Sequence, residues 1–402
     1  MVTDPRETSS RWAAPLSLGV ALLGLSVLGL AATMWIGRSP GWAYDFHAYY
    51  DAALRLIGTG TPYQQETLGG AFRPGPYGLY LYSPPLAMLF VPLTWLGENA
   101  AVMTWLLVRI GLLALTCALM PVSRPIRLAS LGIAALSMPF LFDLNLGNIS
   151  LIVTFFAVVA WRWLDKPLAA VAVAASIALR PTMGLVVGWW LLRGKWRPVA
   201  WTAIAAGVIF LATLPFIPLR LWFDYLTVLR NVSDVTGVFR NFDLGSSVLL
   251  LGGPAWAASL ALYAGYAIAA VAMLFSLRRD RELSYVVTVM ATLLVAPLLW
   301  DHYLTMLLIP AAFLASRGRT WGLLLPLLCW TAPLLETLSS TQGIGEVTLP
   351  LVALAGLLLP FVAPARGEPA GTFLDYLPGR TRPRQGAAEA GRGRYETGSS
   401  LT

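Results

Sequence analysis

The sequence predicts an all-α polytopic membrane protein, with about ten to twelve transmembrane or re-entrant segments and a long first external loop. Three observations carry that prediction. Of the 402 residues, 57% are hydrophobic and 12% are charged, against about 25% charged in an average soluble domain. So few charges cannot cover a water-facing surface for a chain of this length. The apolar residues fall in runs, many of them near the ~20 residues that a helix needs to cross a bilayer. Many of the 16 Trp lie near the ends of those runs, where aromatic belts sit.

The first run, 14–36, follows MVTDPRETSSRW. It is longer than the apolar core of a cleaved signal peptide and reads as a retained first transmembrane helix. A long loop, 37–83, comes next. The run 84–96 (PPLAMLFVPLTWL) holds three prolines and is too short to span, so it reads as re-entrant or interfacial. Spans or half-spans are then expected at 98–120, 126–142, 148–164, 168–192, 198–217, 255–277, 283–299, 303–316, 320–335 and 347–364. Segment 168–192 is interrupted by Arg180-Pro181. Pro removes a helical hydrogen bond and disfavours helix at the residue before it. Two half-helices in a hairpin, with Arg180 near the apex, are expected there. Residues 1–13 form a cytoplasmic N-terminus, 14–364 the membrane domain, and 365–402 a basic tail too poor in apolar residues to fold alone.

The charges orient these segments. With the N-terminus inside, 20 of the 28 Lys and Arg are cytoplasmic, as the positive-inside rule asks. Loops 37–83 and 218–247 are then external. The net charge of +8 belongs to this orientation and not to nucleic-acid binding. Cys117 and Cys329 lie inside apolar runs and read as buried thiols. The sequence shows no disulfide framework, no metal-ligating cluster and no phosphate-binding Gly-rich loop, so no cofactor is expected.

Four places could carry chemistry. In the first external loop, Asp45 precedes His47, Tyr49 and Tyr50. Helical spacing puts Asp45 and Tyr49 on one face, and Asp45 is either a general base or a helix N-cap. FDLNLGNIS at 142–150 reads as an outward turn whose Asp143, Asn145 and Asn148 serve turn chemistry or a site. Arg180 is a guanidinium inside an apolar segment, hence a functional candidate, either phosphate-binding or ion-paired. Arg109 has the same status but lies mid-helix and reads as structural. Asp301 and His302 stand where a late helix meets the outer surface. They are either a cap flanked by belt residues Trp300 and Tyr303 or a phosphate-binding pair.

DFHAYYDAALRLIGTGTPY, YLYSPPLAMLFVPL, LNLGNISLIV, ALRPTMGLVV and APLLWDHYLTMLLIPA, in this order, resemble glycosyltransferase family 87, whose members include polyprenyl-phosphate-mannose-dependent mannosyltransferases. The resemblance covers roughly 14–364 and implies a GT-C-type bundle in the plasma membrane with an external active site and both termini in the cytoplasm. It implies Asp45 as the catalytic base of an inverting transfer, and Arg180 and His302 on the donor phosphate. His47, Tyr49, Tyr82, Asn148 and Asp301 would contact substrate. The implied partners are a polyprenyl-phosphate sugar, a glycolipid or cell-envelope glycan acceptor, and membrane lipids. Three departures stand out: Asn148-Ile149-Ser150 where the family usually shows Gln-x-Asn, Arg180 for Lys, and Asp301-His302 for paired His. An arabinofuranosyl donor and a transporter activity are the alternatives.

Overall fold

The computed structural model describes residues 5–36, 38–39, 41–70, 78–233, 241–339 and 344–364. The expected disordered tail at 365–402 lies outside the described residues, as do parts of both long loops, 37–83 and 218–247. Among the described residues the chain is helical, with no strand.

In order, the helices are α1 (Pro5–Trp35), α2 (Tyr44–Thr59), α3 (Gln65–Leu68), α4 (Pro84–Thr94), α5 (Glu98–Leu119) and α6 (Arg124–Leu136). Then come α7 (Met138–Leu146), α8 (Ser150–Arg162), α9 (Pro167–Leu179), α10 (Leu185–Leu192), α11 (Trp196–Thr213) and α12 (Leu219–Ser233). The last six are α13 (Leu244–Leu250), α14 (Ala255–Ser276), α15 (Arg281–Leu294), α16 (Leu308–Ser316), α17 (Thr331–Leu338) and α18 (Thr348–Leu358). Tighter 3-10 turns cover Pro181–Gly184, Asp301–Leu307, Thr320–Trp330 and Leu359–Val362.

Five helical stretches are long and apolar enough to cross a membrane: Ala13–Trp35, Glu98–Leu119, Trp196–Thr213, Ala255–Ser276 and Thr320–Leu338, the last joining a 3-10 segment to α17. A sixth is the bent pair α6 and α7. The remaining apolar helices, including α4, α8 and α9, are shorter. The core gathers around α15, buried from Leu283 to Leu294. Peripheral α1, α11 and α14 instead expose Leu22, Leu30, Ile204, Leu211, Leu260 and Val271. An apolar rim around a tightly packed centre is the surface a bilayer covers.

The expected span 126–142 is corrected. The chain breaks at Ser137, whose backbone is extended, and α6 and α7 meet at 62°. Pro139, in the first turn of α7, cannot donate to a preceding turn, so the two helices do not fuse. The outward turn expected at 142–150 shrinks as a result, because α7 stays helical to Leu146.

The break at Arg180 falls where the sequence puts it. Arg180 is extended, with φ −143° and ψ 102°. Beyond it α10 returns toward the start of α9. Trp190 Nε1 donates to Asp165 Oδ1 at 3.2 Å, and Lys195 Nζ lies 3.8 Å from Asp165 Oδ2. Arg281 joins the same carboxylate at 3.1 Å, and nearby Arg317 pairs with Asp280 at 2.9 Å. The basic loops between spans thus gather at one end. The loops of 37–83 and 218–247 also meet each other, through Asn231 Nδ2, which donates to the carbonyls of Thr67 and Leu68.

Candidate active site

Helix α2 begins at Ala43, which takes a left-handed φ of 56° and donates its N–H to Asn145 O at 2.8 Å. That contact docks the start of α2 on the end of α7. Ala43 occupies the N-cap position, so Asp45 is in the first helical turn and caps nothing. Its Oδ2 instead accepts from Asn148 Nδ2 at 2.8 Å. Tyr49, one turn on, presents its hydroxyl oxygen to the same Nδ2 at 3.1 Å, and Tyr82 does so at 3.3 Å. The shared face that i, i+4 spacing predicts for Asp45 and Tyr49 is therefore the face that meets Asn148.

Asn148 is delivered there by Gly147, which ends α7 in the left-handed region at φ 76°. A Cβ on Gly147 would stand 2.6 Å from Phe46 Cβ, so α2 can approach only a glycine. Trp105 Nε1 donates to Gly147 O at 2.8 Å. Asn148 Oδ1 accepts from Ser150 N and from Ser150 Oγ, each at 2.8 Å. Two donors on one atom fix which end of the amide is oxygen, and so turn Nδ2 toward Asp45.

Arg180, 6% exposed, reaches the same place from the break between α9 and α10. Its Nη2 donates to Ser150 Oγ at 2.8 Å, and its Cζ lies 3.5 Å over the ring of Tyr303. Nη1 stands 3.8 Å from Met306 Sδ. Ser83 Oγ donates to Ala178 O, which ties the first loop to the last turn of α9. Thr154 Oγ1 is 3.0 Å from Thr305 Oγ1, which binds α8 to the segment Asp301–Leu307.

Tyr303, expected as an interfacial belt residue, is buried under the guanidinium. The His302 ring centroid is 5.0 Å from that of Tyr303 and 5.7 Å from that of Trp300. Asp301 is buried in the same 3-10 segment. That segment is stitched to the second long loop, 218–247. Phe242 N donates to Leu299 O at 2.8 Å, while Asn241 Oδ1 accepts from Leu299 N at 2.9 Å.

Of the residues expected in the site, Asp45, Tyr49, Tyr82, Asn148 and Arg180 share one hydrogen-bonded cluster, and His302 flanks it through Tyr303. His47 is turned elsewhere, its Nδ1 3.1 Å from Glu98 Oε1 at the start of α5. Arg109 and Asp143 form an ion pair beneath the 145–148 turn, with Arg109 Nη1 also donating to Leu144 O at 3.0 Å. Ser150 and Tyr303 are the site residues that sequence reasoning missed. Both lie inside motifs already singled out, Ser150 two residues past Asn148 and Tyr303 next to His302, but their contacts span the fold.

Burial pushes the Asp45 carboxyl up to about 7. The Asn148 hydrogen bond and Arg109 pull it down, and Asp143 adds to the rise. A carboxylate poised near neutrality is suited to general-base work. Among the described residues no three His, Cys, Asp or Glu side chains stand together.

A family model for glycosyltransferase family 87 matches residues 80–300, more than half of the chain. No curated protein and no solved structure matches it. The matched stretch carries Tyr82, Asn148, Ser150 and Arg180, and it ends at the Trp that flanks His302. Multi-helix architecture, the clustered carboxylate and guanidinium, and this match agree: the chain is a membrane glycosyltransferase and belongs to glycosyltransferase family 87.

Proposed function

We propose that the protein moves a sugar, mannose, from a polyprenyl-phosphate donor to a glycolipid or cell-envelope glycan on the external face of the plasma membrane. Asp45 removes the proton of the acceptor hydroxyl as its oxygen attacks the anomeric carbon. The new carbon–oxygen bond forms on the face opposite the phosphate, and the configuration inverts. The bond from the anomeric carbon to the phosphate oxygen breaks, and the phosphate leaves with the electron pair. Arg180 and His302 stabilise that growing negative charge in a site sheltered from water. Tyr49, Tyr82 and Asn148 hold sugar hydroxyls, with Asp301 and His47 further along the substrate path.

The observation that carries this reading is the placement of Asp45 and Arg180 on either side of Asn148 and Ser150. A base and a cation a short distance apart suit a reaction that takes a proton at one point and builds charge at another. The charge bias supports the external face. The basic loops gather at the end opposite the site, and positive loops stay cytoplasmic.

The test uses the purified protein in nanodiscs with polyprenyl-phosphate-mannose and an envelope glycolipid extract, sugar transfer being followed by mass spectrometry. Wild type transfers mannose, and a folded Asp45→Asn variant loses about 10²- to 10⁴-fold in rate. Transfer undiminished in Asp45→Asn removes Asp45 as the base. Transfer seen only with a polyprenyl-phosphate arabinofuranose donor replaces mannose with a pentose. No transfer with either donor points to a transporter.

A further inference from the structure

The contacts between Arg180 and Asp45 have a direction that follows from donor and acceptor inventory alone. Arg carries only donors, so Arg180 Nη2 gives its hydrogen to Ser150 Oγ. The Ser150 hydroxyl owns one hydrogen, and its other polar neighbour is Asn148 Oδ1, which can only accept. The Asn148 amide then gives a hydrogen to Asp45 Oδ2, a carboxylate oxygen. Three consecutive bonds, of 2.8 Å each, therefore run one way, from the cation to the carboxylate. Each donor in such a chain is polarised by the one behind it, by roughly 10–30% per bond.

Other charges near Asp45 do not duplicate this. Tyr44 and Tyr49 of its own helix, Tyr82 of the first loop and Tyr303 of the Asp301–Leu307 segment face it. Arg109 of α5 faces it too, but Asp143 of α7 pairs with that guanidinium and largely offsets it. Arg180 makes no ion pair with a carboxylate among the described residues. Its hydrogen-bonded path to Asp45 runs through Ser150 and Asn148.

We propose that Ser150 and Asn148 are positioning residues that form a one-way relay, by which the charge at Arg180 sets the basicity of Asp45. The proposal rests on the reading of Asp45 as base and Arg180 as phosphate ligand. While Arg180 bonds to Ser150, the relay holds Asp45 in a weakly basic state. An anionic phosphate that draws the guanidinium to itself relaxes the Ser150 hydroxyl, and Asp45 becomes a stronger base. Donor binding thus strengthens the base that receives the acceptor hydroxyl's proton, and the pH at which Asp45 ionises moves up with it.

The experiment titrates Asp45 directly. Its carboxyl band is isolated by infrared difference spectroscopy of the full chain in nanodiscs, Asp45→Asn supplying the reference, across the neutral pH range. Ser150→Ala raises the Asp45 midpoint by about 0.3–0.6 pH units, a bond to a charged group having lost its polarisation. Ser150→Thr, which keeps the hydroxyl, titrates with wild type. Farnesyl phosphate, a short polyprenyl phosphate, raises the midpoint of wild type and Ser150→Thr more than that of Ser150→Ala. Should Ser150→Ala fail to fold, Ser150→Cys, a weak donor of similar shape, carries the same expectation. A Ser150→Ala midpoint equal to that of wild type overturns the relay. Equal shifts with farnesyl phosphate in both proteins overturn it as well, because the phosphate would then act through space alone. If farnesyl phosphate moves neither protein while Ser150→Ala still raises the basal midpoint, the relay stands and the assignment of the phosphate to Arg180 fails.

Discussion

Asp45 holds a proton that an ordinary carboxyl would have lost, because burial disfavours its charged form by more than the Asn148 hydrogen bond favours it. Two outcomes follow at neutral pH. The base must be ionised to work, so kcat/KM for sugar transfer rises with pH along an acid limb centred near 7, read from initial rates across pH. Stability runs the other way. A carboxyl raised from 3.8 to about 7 in the fold contributes stability that is complete below its unfolded value and is lost as pH rises through about 7. Asp45→Asn has no such dependence. The melting temperature of the wild type therefore falls relative to Asp45→Asn as pH rises from about 4 to about 7 and levels off above that, and a pH-independent difference would refute the raised value. Arg109 and Asp143 raise a different residue-scale question, since both are almost fully buried. Removing one partner strands a charge and costs about 3–5 kcal/mol. Arg109→Met and Asp143→Leu each destabilise the protein strongly, and the double variant recovers most of the loss, as thermal unfolding in detergent will show.

Helix α1 leans on α6 at a crossing where both helices place glycine. A Cβ on Gly24 would collide with the carbonyl of Gly132, and one on Gly132 with the carbonyl of Val20. Close backbone approach through small residues is how helices associate where no hydrophobic force separates them from lipid. Gly24→Val pries α1 off α6 and lowers the melting temperature, whereas the same change at Gly19, which has open space around it, leaves it near wild type. Element boundaries were legible where they rest on local chemistry. The long apolar runs gave α5, α14 and the end of α1 nearly to the residue, although α1 begins nine residues earlier than its apolar run, and Arg180-Pro181 gave the break before α10. The bend at Ser137 carried the same kind of signal in Pro139, but apolar continuity through 126–142 outweighed it. The 3-10 winding of Asp301–Leu307 has no local marker at all; packing between α7, α8 and α16 imposes it.

At the scale of the molecule, polar chemistry sits at one end and the positive loops at the other. Arg278 and Arg220 are both exposed and lie at opposite ends in the charge-derived topology. The native thiols Cys117 and Cys329 are buried, so single cysteines can be read against a silent background. In intact cells a membrane-impermeant maleimide labels Arg220→Cys and labels Arg278→Cys only after the membrane is opened; the reverse pattern inverts the topology. The sequence revealed which residues were out of place in an apolar chain, Asp45, Arg180 and His302 among them. It could not reveal that Ser150 links Arg180 toward Asp45 or that Tyr303 lies under the same guanidinium, because those contacts close loops of 30 and more than 120 residues. The half-helix α9 has a further consequence. Its 13 residues rise about 20 Å, against a hydrocarbon thickness of about 30 Å. Starting at the charged end, an upright α9 leaves Arg180 roughly 10 Å short of the far headgroup plane, covered by protein around Ser83 in place of acyl chains. If Arg180 holds the phosphate of a lipid donor, that phosphate is pulled below the level of its neighbours and leaves a dimple in the leaflet. Turnover would then depend on bilayer thickness, rising in nanodiscs of short-chain lipid and falling in those of long-chain lipid.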